Sequence, residues 1–408
     1  MRRRRPRELA RLLPGRRRLG RRANREQPRV LSRRCLLLSP CKGEGAGVRS
    51  GAARGAAIMY DQICAFDNLY TAYRAARRGK RHQPEVAAFE FNLEAELLQL
   101  RDELRTHTYR PGPYHSFYIH EPKRRLISAA PFRDRVVHHA LCQIIEPIFE
   151  RRFIGDSYAN RVGKGTHRAL DRCTQFMRRF KYVMPLDVVQ FFPSVDHTML
   201  RGILARAIHD GDTLGLIDLI LQSGEGVLAD DYDMVWFPGD DLPAAARPRG
   251  LPIGNLTSQF WANVYLNEFD QFAKRRLGIV GYVRYVDDIV VCGDDPARLR
   301  AWHAALIARL AALRLIVHSR QPQPRPVGEG LPFLGFTVYP THRRLKRRKV
   351  IYAGRRLTDV SRRASQRALS VSAWRACVQA WIAHARHGDT WGLRRALLRR
   401  LVIPHVPA

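Results

Sequence analysis

The sequence predicts an α+β fold. From Asp67 to Arg105 apolar residues recur at helical spacing, as at Leu93, Leu97, Leu100 and Leu104, with Glu and Arg on the opposite face. Tyr114 to Ile127 instead alternates like a strand pair, and Lys181 to Val188 reads as a buried strand. From there strand, turn and helix follow one another to about Tyr339 without the regular winding that a parallel βαβ sheet needs. Pro111 and Pro113 end the first helical stretch, and Asp134 to Phe149 carries the next helical pattern. Beyond His342 the chain is basic and helical, with Trp374, Trp381 and Trp391 expected as packing anchors.

A chain of 408 residues with 45% hydrophobic content can bury a sizeable core, divided into two or three subdomains. Its charge is unusual: 71 Lys and Arg against 37 Asp and Glu give a net +34. Such an excess attracts a polyanion through phosphate contacts and counterion release, so nucleic acid is the first partner to consider. The seven cysteines, at 35, 41, 64, 142, 173, 292 and 377, form no C-x-x-C pair and are read as reduced thiols. No segment reaches the roughly 18 uninterrupted apolar residues of a membrane span. A soluble, cytoplasmic protein is expected.

Residues 1–58 differ from the rest. They hold 18 basic and 3 acidic residues, a net +15 that leaves +19 elsewhere, and show no apolar periodicity. They read as a disordered Arg-rich extension: an RNA-binding tail, a transit peptide, or a stretch upstream of a natural start at Met59.

The chemistry concentrates in Tyr285-Val286-Asp287-Asp288, flanked by Val283 and by Ile289, Val290 and Val291. Two adjacent carboxylates between two β-type runs call for a hairpin tip, since a strand interior would push one of them into the core unpaired. An ordinary Asp-containing β-turn is the plain alternative. A second carboxylate, Asp187, ends the apolar run before Val188-Val189-Gln190-Phe191-Phe192. Set beside Asp287 and Asp288, it completes a site able to hold two Mg²⁺ ions about 3.5–4 Å apart for in-line phosphoryl transfer.

Asp187 with its Phe-Phe sequel and the Tyr-Val-Asp-Asp box resemble the palm motifs of reverse transcriptases. The resemblance continues in order through Lys123-Arg124-Arg125-Leu126, Asp134-Arg135, Ser157-Tyr158-Ala159-Asn160-Arg161, Gly250-Leu251-Pro252-Ile253-Gly254-Asn255-Leu256-Thr257-Ser258-Gln259 and Phe333-Leu334-Gly335-Phe336. It spans about Met59 to Tyr339. It implies a right-hand polymerase fold, with fingers and palm over 59–340 and a helical basic thumb over 341–408, acting as an RNA-directed DNA polymerase.

By that resemblance Asp187, Asp287 and Asp288 are catalytic and, with Val188, hold Mg²⁺, for which Mn²⁺ is a substitute. Lys123, Arg124 and Arg125 fall where the incoming triphosphate is held, a task suited to cations and forked guanidinium groups. Phe192 matches the aromatic that leaves no room for a 2′-hydroxyl, with plain core packing as the alternative. Gly254 and Gln259 complete the nucleotide site, and Phe333 to Phe336 resemble the hairpin that grips the primer end. Implied partners are a template RNA, the RNA/DNA duplex, dNTPs and a small basic accessory protein.

Two positions depart from the common pattern. Ile253-Gly254-x-x-x-Ser258-Gln259 differs from the usual Gln-Gly-x-x-x-Ser-Pro and looks like the form in enzymes of diversity-generating retroelements. Ile253 lacks an amide to hydrogen-bond around the nucleotide, which would relax discrimination of the incoming base, with simple packing as the alternative; the resemblance implies errors concentrated at template adenines. Gln321 stands where many relatives carry Lys, with Arg320 beside it.

Other signals are weaker. Gly163-Lys164-Gly165-Thr166 lacks the order of a phosphate-binding loop and reads as a basic turn. His138-His139 has no third metal ligand in view, and Asp294-Asp295-Pro296 reads as a loop and helix start. The leading reading is an error-prone reverse transcriptase of a diversity-generating retroelement. A retron, group II intron or defence-associated enzyme is the runner-up, and a non-catalytic RNA-binding scaffold the rival from another class.

Overall fold

The computed structural model describes residues 59–120, 124–318 and 323–401. The expectations for residues 1–58, Lys123, Arg320 and Gln321 concern positions outside these. The periodic stretch near the start forms four helices: α1 (Met59–Cys64), α2 (Phe66–Ala76), α3 (Pro84–Phe91) and α4 (Leu93–Arg105). The apolar faces of α1, α2 and α3 meet α5 (Phe132–Glu150) and α4 packs on those three, with Ile63, Leu69, Leu97, Leu100, Val136, Leu141 and Ile145 fully buried. Between α4 and α5 lies the antiparallel hairpin β1 (His115–Ile119) and β2 (Arg125–Ala129). Asp134 on α5 fixes the approach to that hairpin, accepting hydrogen bonds from the Tyr109 hydroxyl at 2.8 Å and the Gly112 amide at 2.7 Å.

After α6 (Thr166–Arg179) the chain enters β3 (Tyr182–Asp187). It continues through α7 (Phe191–Ser194), α8 (His197–Ala205), α9 (Gly211–Ser223), α10 (Leu242–Ala245) and α11 (Leu256–Gln271). The hairpin β4 (Gly281–Tyr285) and β5 (Asp288–Gly293), then α12 (Pro296–Ala312) and β6 (Arg325–Pro326), complete a four-stranded antiparallel sheet in the order β4-β5-β3-β6. The two-residue period of a strand divides this sheet between two cores. Met184, Leu186, Tyr282, Ile289 and Val291 join the large cluster with α5 and α11. Val183, Val283, Val290 and Cys292 join a smaller one with Leu170, Cys173, Phe176 and Met177 of α6.

Beyond the sheet, β7 (Leu331–Phe333), β8 (Phe336–Val338) and β9 (Arg343–Leu345) form a three-stranded antiparallel sheet, followed by α13 (Arg347–Ser365), α14 (Val371–Ala385) and α15 (Trp391–Leu398). Arg343 ties this region to α6, donating to Asp171 at 2.7 Å and Thr174 at 2.8 Å. Trp374 packs as expected and donates its indole N–H to Ser361 at 2.9 Å. Trp391 does not serve as an anchor: it is 64% exposed at the start of α15, with the Arg395 guanidinium over its ring. Leu357, Val360 and Ala364 of α13 with Val378 of α14 are buried instead. Lys164 bonds the Gly155 carbonyl, and Asp295 caps α12 through the amides of Ala297 and Arg298. Both agree with the loop and helix-start readings. No described helix is long and apolar enough to cross a membrane.

One charge is buried in β4. Arg284 is fully buried and pairs bidentately with Asp270 of α11 at 2.7 and 2.6 Å, while the Tyr282 hydroxyl donates to the same carboxylate at 2.6 Å. Removing one partner of such a pair strands the other in a medium that cannot solvate it. Asp270→Ala is therefore expected to cost about 3–5 kcal/mol in chemical denaturation; a loss below about 1 kcal/mol, the scale of an exposed pair, would show that Arg284 reaches water.

A second expectation concerns acid. His138 is buried with neither ring nitrogen hydrogen-bonded among the described residues, and burial pushes it down to about 3. Burial also holds His139 and His167 at about 4. The unfolded chain protonates these rings near pH 6.5 and the folded chain far lower, so their contribution is intact above about pH 6.5 and is lost as pH falls toward 4. The melting temperature should decline over that window, and His138→Leu should flatten the decline. An identical pH profile for wild type and His138→Leu would remove His138 from the account.

Candidate active site

The sheet register brings the acidic residues together. β3 pairs with β5 from Tyr182 opposite Gly293 through Asp187 opposite Asp288. Directly opposed residues project from the same face of an antiparallel pair, so the two carboxylates share one face. Asp287 lies beside them in the two-residue tip, Val286-Asp287, that joins β4 to β5. Val286 has φ +56°, a region costly for a β-branched residue and normally given to Gly at the first position of such a turn. The Arg284 guanidinium donates to the Val286 carbonyl at 3.1 Å, bracing the tip from inside the core.

Asp187 ends its strand half-exposed, and its carboxylate lies 3.8 Å from the His318 imidazole. Past it, Val188 bridges to Val317 and the Val189 amide donates to Ile316 at 2.9 Å. The chain then turns at Gln190, with φ +44°, into α7. The side-chain amide of Gln190 forms a reciprocal pair with Asp233: Nε2 donates to Oδ2, and Oε1 accepts from the Asp233 amide, both at 3.0 Å.

Main-chain bonds gather the remaining residues around this exit. Phe192 is half-buried, edge-on to Phe191, and its carbonyl accepts from the Leu251 amide at 2.9 Å. The half-buried Ile253 accepts from the Ser128 amide at 2.8 Å, so the segment before α11 docks on β2. Gly254 has φ +126°, and a Cβ there would come 3.1 Å from the Ile127 side chain, which explains a glycine at this contact. Asn255 completes the junction by accepting from the Ala130 amide and donating to the Ser128 carbonyl. Gln259 is half-buried in the first turns of α11. Arg124 and Arg125 are exposed at the tip end of the β1-β2 hairpin, Arg124 over the Tyr118 ring at 4.0 Å.

The hairpin from Phe333 to Phe336 has Leu334 and Gly335 as its tip, with φ +44° and +88°, the pattern of a type I′ turn. Both Phe rings are buried, so what this hairpin offers outward is Leu334 and Gly335. Gly335 accepts from the Lys346 amide at 3.1 Å, which fixes the tip against the start of α13.

Sequence reading singled out the three aspartates but not what supports them. Arg284 carried a usable signal, since a cation inside the apolar run from Tyr282 to Tyr285 demands a buried counter-charge. Asn255, already part of the Gly250 to Gln259 motif, precedes α11 without capping it and bonds the main chain of Ser128 and Ala130 instead. The Gln190–Asp233 pair and the approach of His318 to Asp187 join residues far apart in the chain and left no local trace.

Carboxylates at Asp187, Asp287 and Asp288, with the Val188 carbonyl nearby, are hard oxygen donors of the kind that suits Mg²⁺ or Mn²⁺. Asp187 and Asp288 are open to solvent, which gives a hydrated ion access. Among the described residues no three His, Cys, Asp or Glu side chains converge closely enough to hold an ion.

Parts of the chain are similar to known proteins. The chain is 31% identical over 193 residues to protein YkfC of Escherichia coli (strain K12), covering 45% of this chain and 47% of that protein. It is 26% identical over 211 residues to the group II intron-encoded protein LtrA of Lactococcus lactis subsp. cremoris, covering 51% and 32%. It is 33% identical over 101 residues to nuclear intron maturase 1, mitochondrial, of Arabidopsis thaliana, covering 24% and 14%. The chain thus spans less than half the length of these curated relatives. The family profile described as reverse transcriptase (RNA-dependent DNA polymerase) matches residues 119–338, more than half of the sequence and the whole of the aspartate site, and the chain belongs to that family.

Proposed function

We propose that the chain copies a template RNA into cDNA, with residues 59–340 as fingers and palm and the chain from residue 341 onward as thumb. The observation that carries this reading is the β3-β5 register, which sets Asp187 opposite Asp288 and next to Asp287. Two Mg²⁺ ions held by these carboxylates and the Val188 carbonyl would acidify the primer 3′-hydroxyl and neutralise the departing pyrophosphate.

The remaining residues bind and orient. Arg124 and Arg125 offer forked donors to the triphosphate, and Lys123 supplies a further cation. Phe192 closes against the sugar at the 2′ position, while Gly254 and Gln259 line the approach from α11. The primer end rests on the Leu334-Gly335 tip of the hairpin from Phe333 to Phe336. Arg347, Arg348, Lys349, Arg355 and Arg356 lie exposed on α13 and suit a duplex backbone.

Within this reading the Ile253 and Gln259 pair supports a diversity-generating retroelement enzyme, error-prone at template adenines and working with a small basic accessory protein. Ile253 engages its surroundings through its backbone carbonyl, and its apolar side chain offers the nucleotide no amide. The names of two relatives, a group II intron-encoded protein and an intron maturase, favour a second reading as an intron-type reverse transcriptase.

Primer extension on a defined RNA with Mg²⁺ and dNTPs tests the activity. Wild type should extend, and Asp287→Ala should abolish extension while retaining RNA binding. A wild type that binds RNA as Asp287→Ala does but never extends would favour a scaffold. Sequencing the products separates the two enzymatic readings: errors concentrated at adenines that fall in Ile253→Gln support the retroelement enzyme. Faithful copying at adenines supports the intron type, and unchanged errors in Ile253→Gln remove this side chain from the explanation.

A further inference from the structure

We propose that Arg284 is a positioning residue for the acidic turn: a buried, internally neutralised guanidinium that holds the strained Val286 backbone where Asp287 and Asp288 bind divalent cations. This role rests on the reading of those carboxylates as metal ligands.

All five N–H donors of Arg284 are engaged. Nε and Nη2 donate to the two oxygens of Asp270 at 2.7 and 2.6 Å, and Nη2 also donates to the Ser157 hydroxyl at 3.2 Å. Nη1 donates to Asn263 Oδ1 at 3.2 Å and to the Val286 carbonyl at 3.1 Å. Four of these bonds orient the guanidinium and the fifth grips the turn. The anchor is itself fixed, because Asp270 is fully buried on α11 and also accepts the Tyr282 hydroxyl.

The turn needs such a grip. Val286 at φ +56° holds a backbone conformation that its branched side chain disfavours, and such conformations persist where the surroundings over-determine them. The source of the grip must also respect the site's charge. An uncompensated cation behind the carboxylates would compete with divalent ions, whereas the Arg284–Asp270 pair supplies donors with no net charge. Lysine at 284 would keep the charge but, with three donors on a flexible stem, could not serve five acceptors in a fixed plane.

The test is Mn²⁺ titration of the full chain, read by the electron paramagnetic resonance signal of free Mn²⁺, with melting curves and primer extension in parallel. Arg284→Lys should bind Mn²⁺ about 10–100-fold more weakly, the range for residues that orient metal ligands. Asn263→Ala keeps the Arg284–Asp270 pair and so carries the test if Arg284→Lys fails to fold; it should weaken Mn²⁺ binding to a smaller degree. Adding Val286→Gly to Arg284→Lys should restore much of the affinity, because glycine adopts positive φ without strain. Wild-type affinity in the folded variants, or no recovery on adding the glycine, overturns the proposal. A wild type with no Mn²⁺ binding that Asp287→Ala removes overturns it together with the metal-ligand reading. A wild type that shows the predicted Mn²⁺ pattern but never extends a primer supports the positioning role and overturns the polymerase reading alone.

Discussion

Carboxylates at the ends of neighbouring antiparallel strands repel one another, and a fold that keeps them adjacent must fix their backbone against that repulsion. Here the fixing is done by strand register. Six consecutive pairings between β3 and β5 run from Tyr182 to Asp187, with apolar side chains buried on both faces of the sheet. A slip by one residue would drive every side chain of β3 into the wrong core, so the register that seats Leu186 also seats Asp187. The acidic site is thereby a consequence of core packing on two sides.

The same economy shapes the rest of the site. The segment from Leu251 to Gln259 reaches β2 and α7 almost wholly through main-chain bonds and the amide of Asn255. The side chains of Ile253 and Gln259 are half-buried, while main-chain bonds and the Asn255 side chain set the geometry of the junction.

Among the described residues, three of the seven non-glycine residues with positive φ lie in segments that carry candidate site residues. Gln190 follows the Asp187 strand, Val286 heads the acidic turn, and Leu334 tips the hairpin before α13. Each is held by a specific contact: Asp233 pairs with the Gln190 amide, Arg284 grips the Val286 carbonyl, and Lys346 bonds Gly335 next to Leu334. Backbone strain of this kind survives only when its surroundings are rigid, which ties the site to the buried pair of Arg284 and Asp270.

Much of this was legible in the sequence. Helical spacing from Asp67 to Arg105 and apolar runs around 181–188 and 281–293 mark elements because period reports burial directly, and the ordered motifs are contiguous stretches that keep their chemistry local. Other features depended on pairing between distant segments. Arg284 meets Asp270, Gln190 meets Asp233 and His318 approaches Asp187 only once helices and strands have packed. Trp391 looked like an anchor by composition, yet α13 and α14 close over smaller side chains and leave it outside. Sequence determined which residues carry charge and which face of each element is apolar; tertiary structure decided which charges meet, because long-range contacts are set by the packing of whole surfaces and not by the pattern of any one segment.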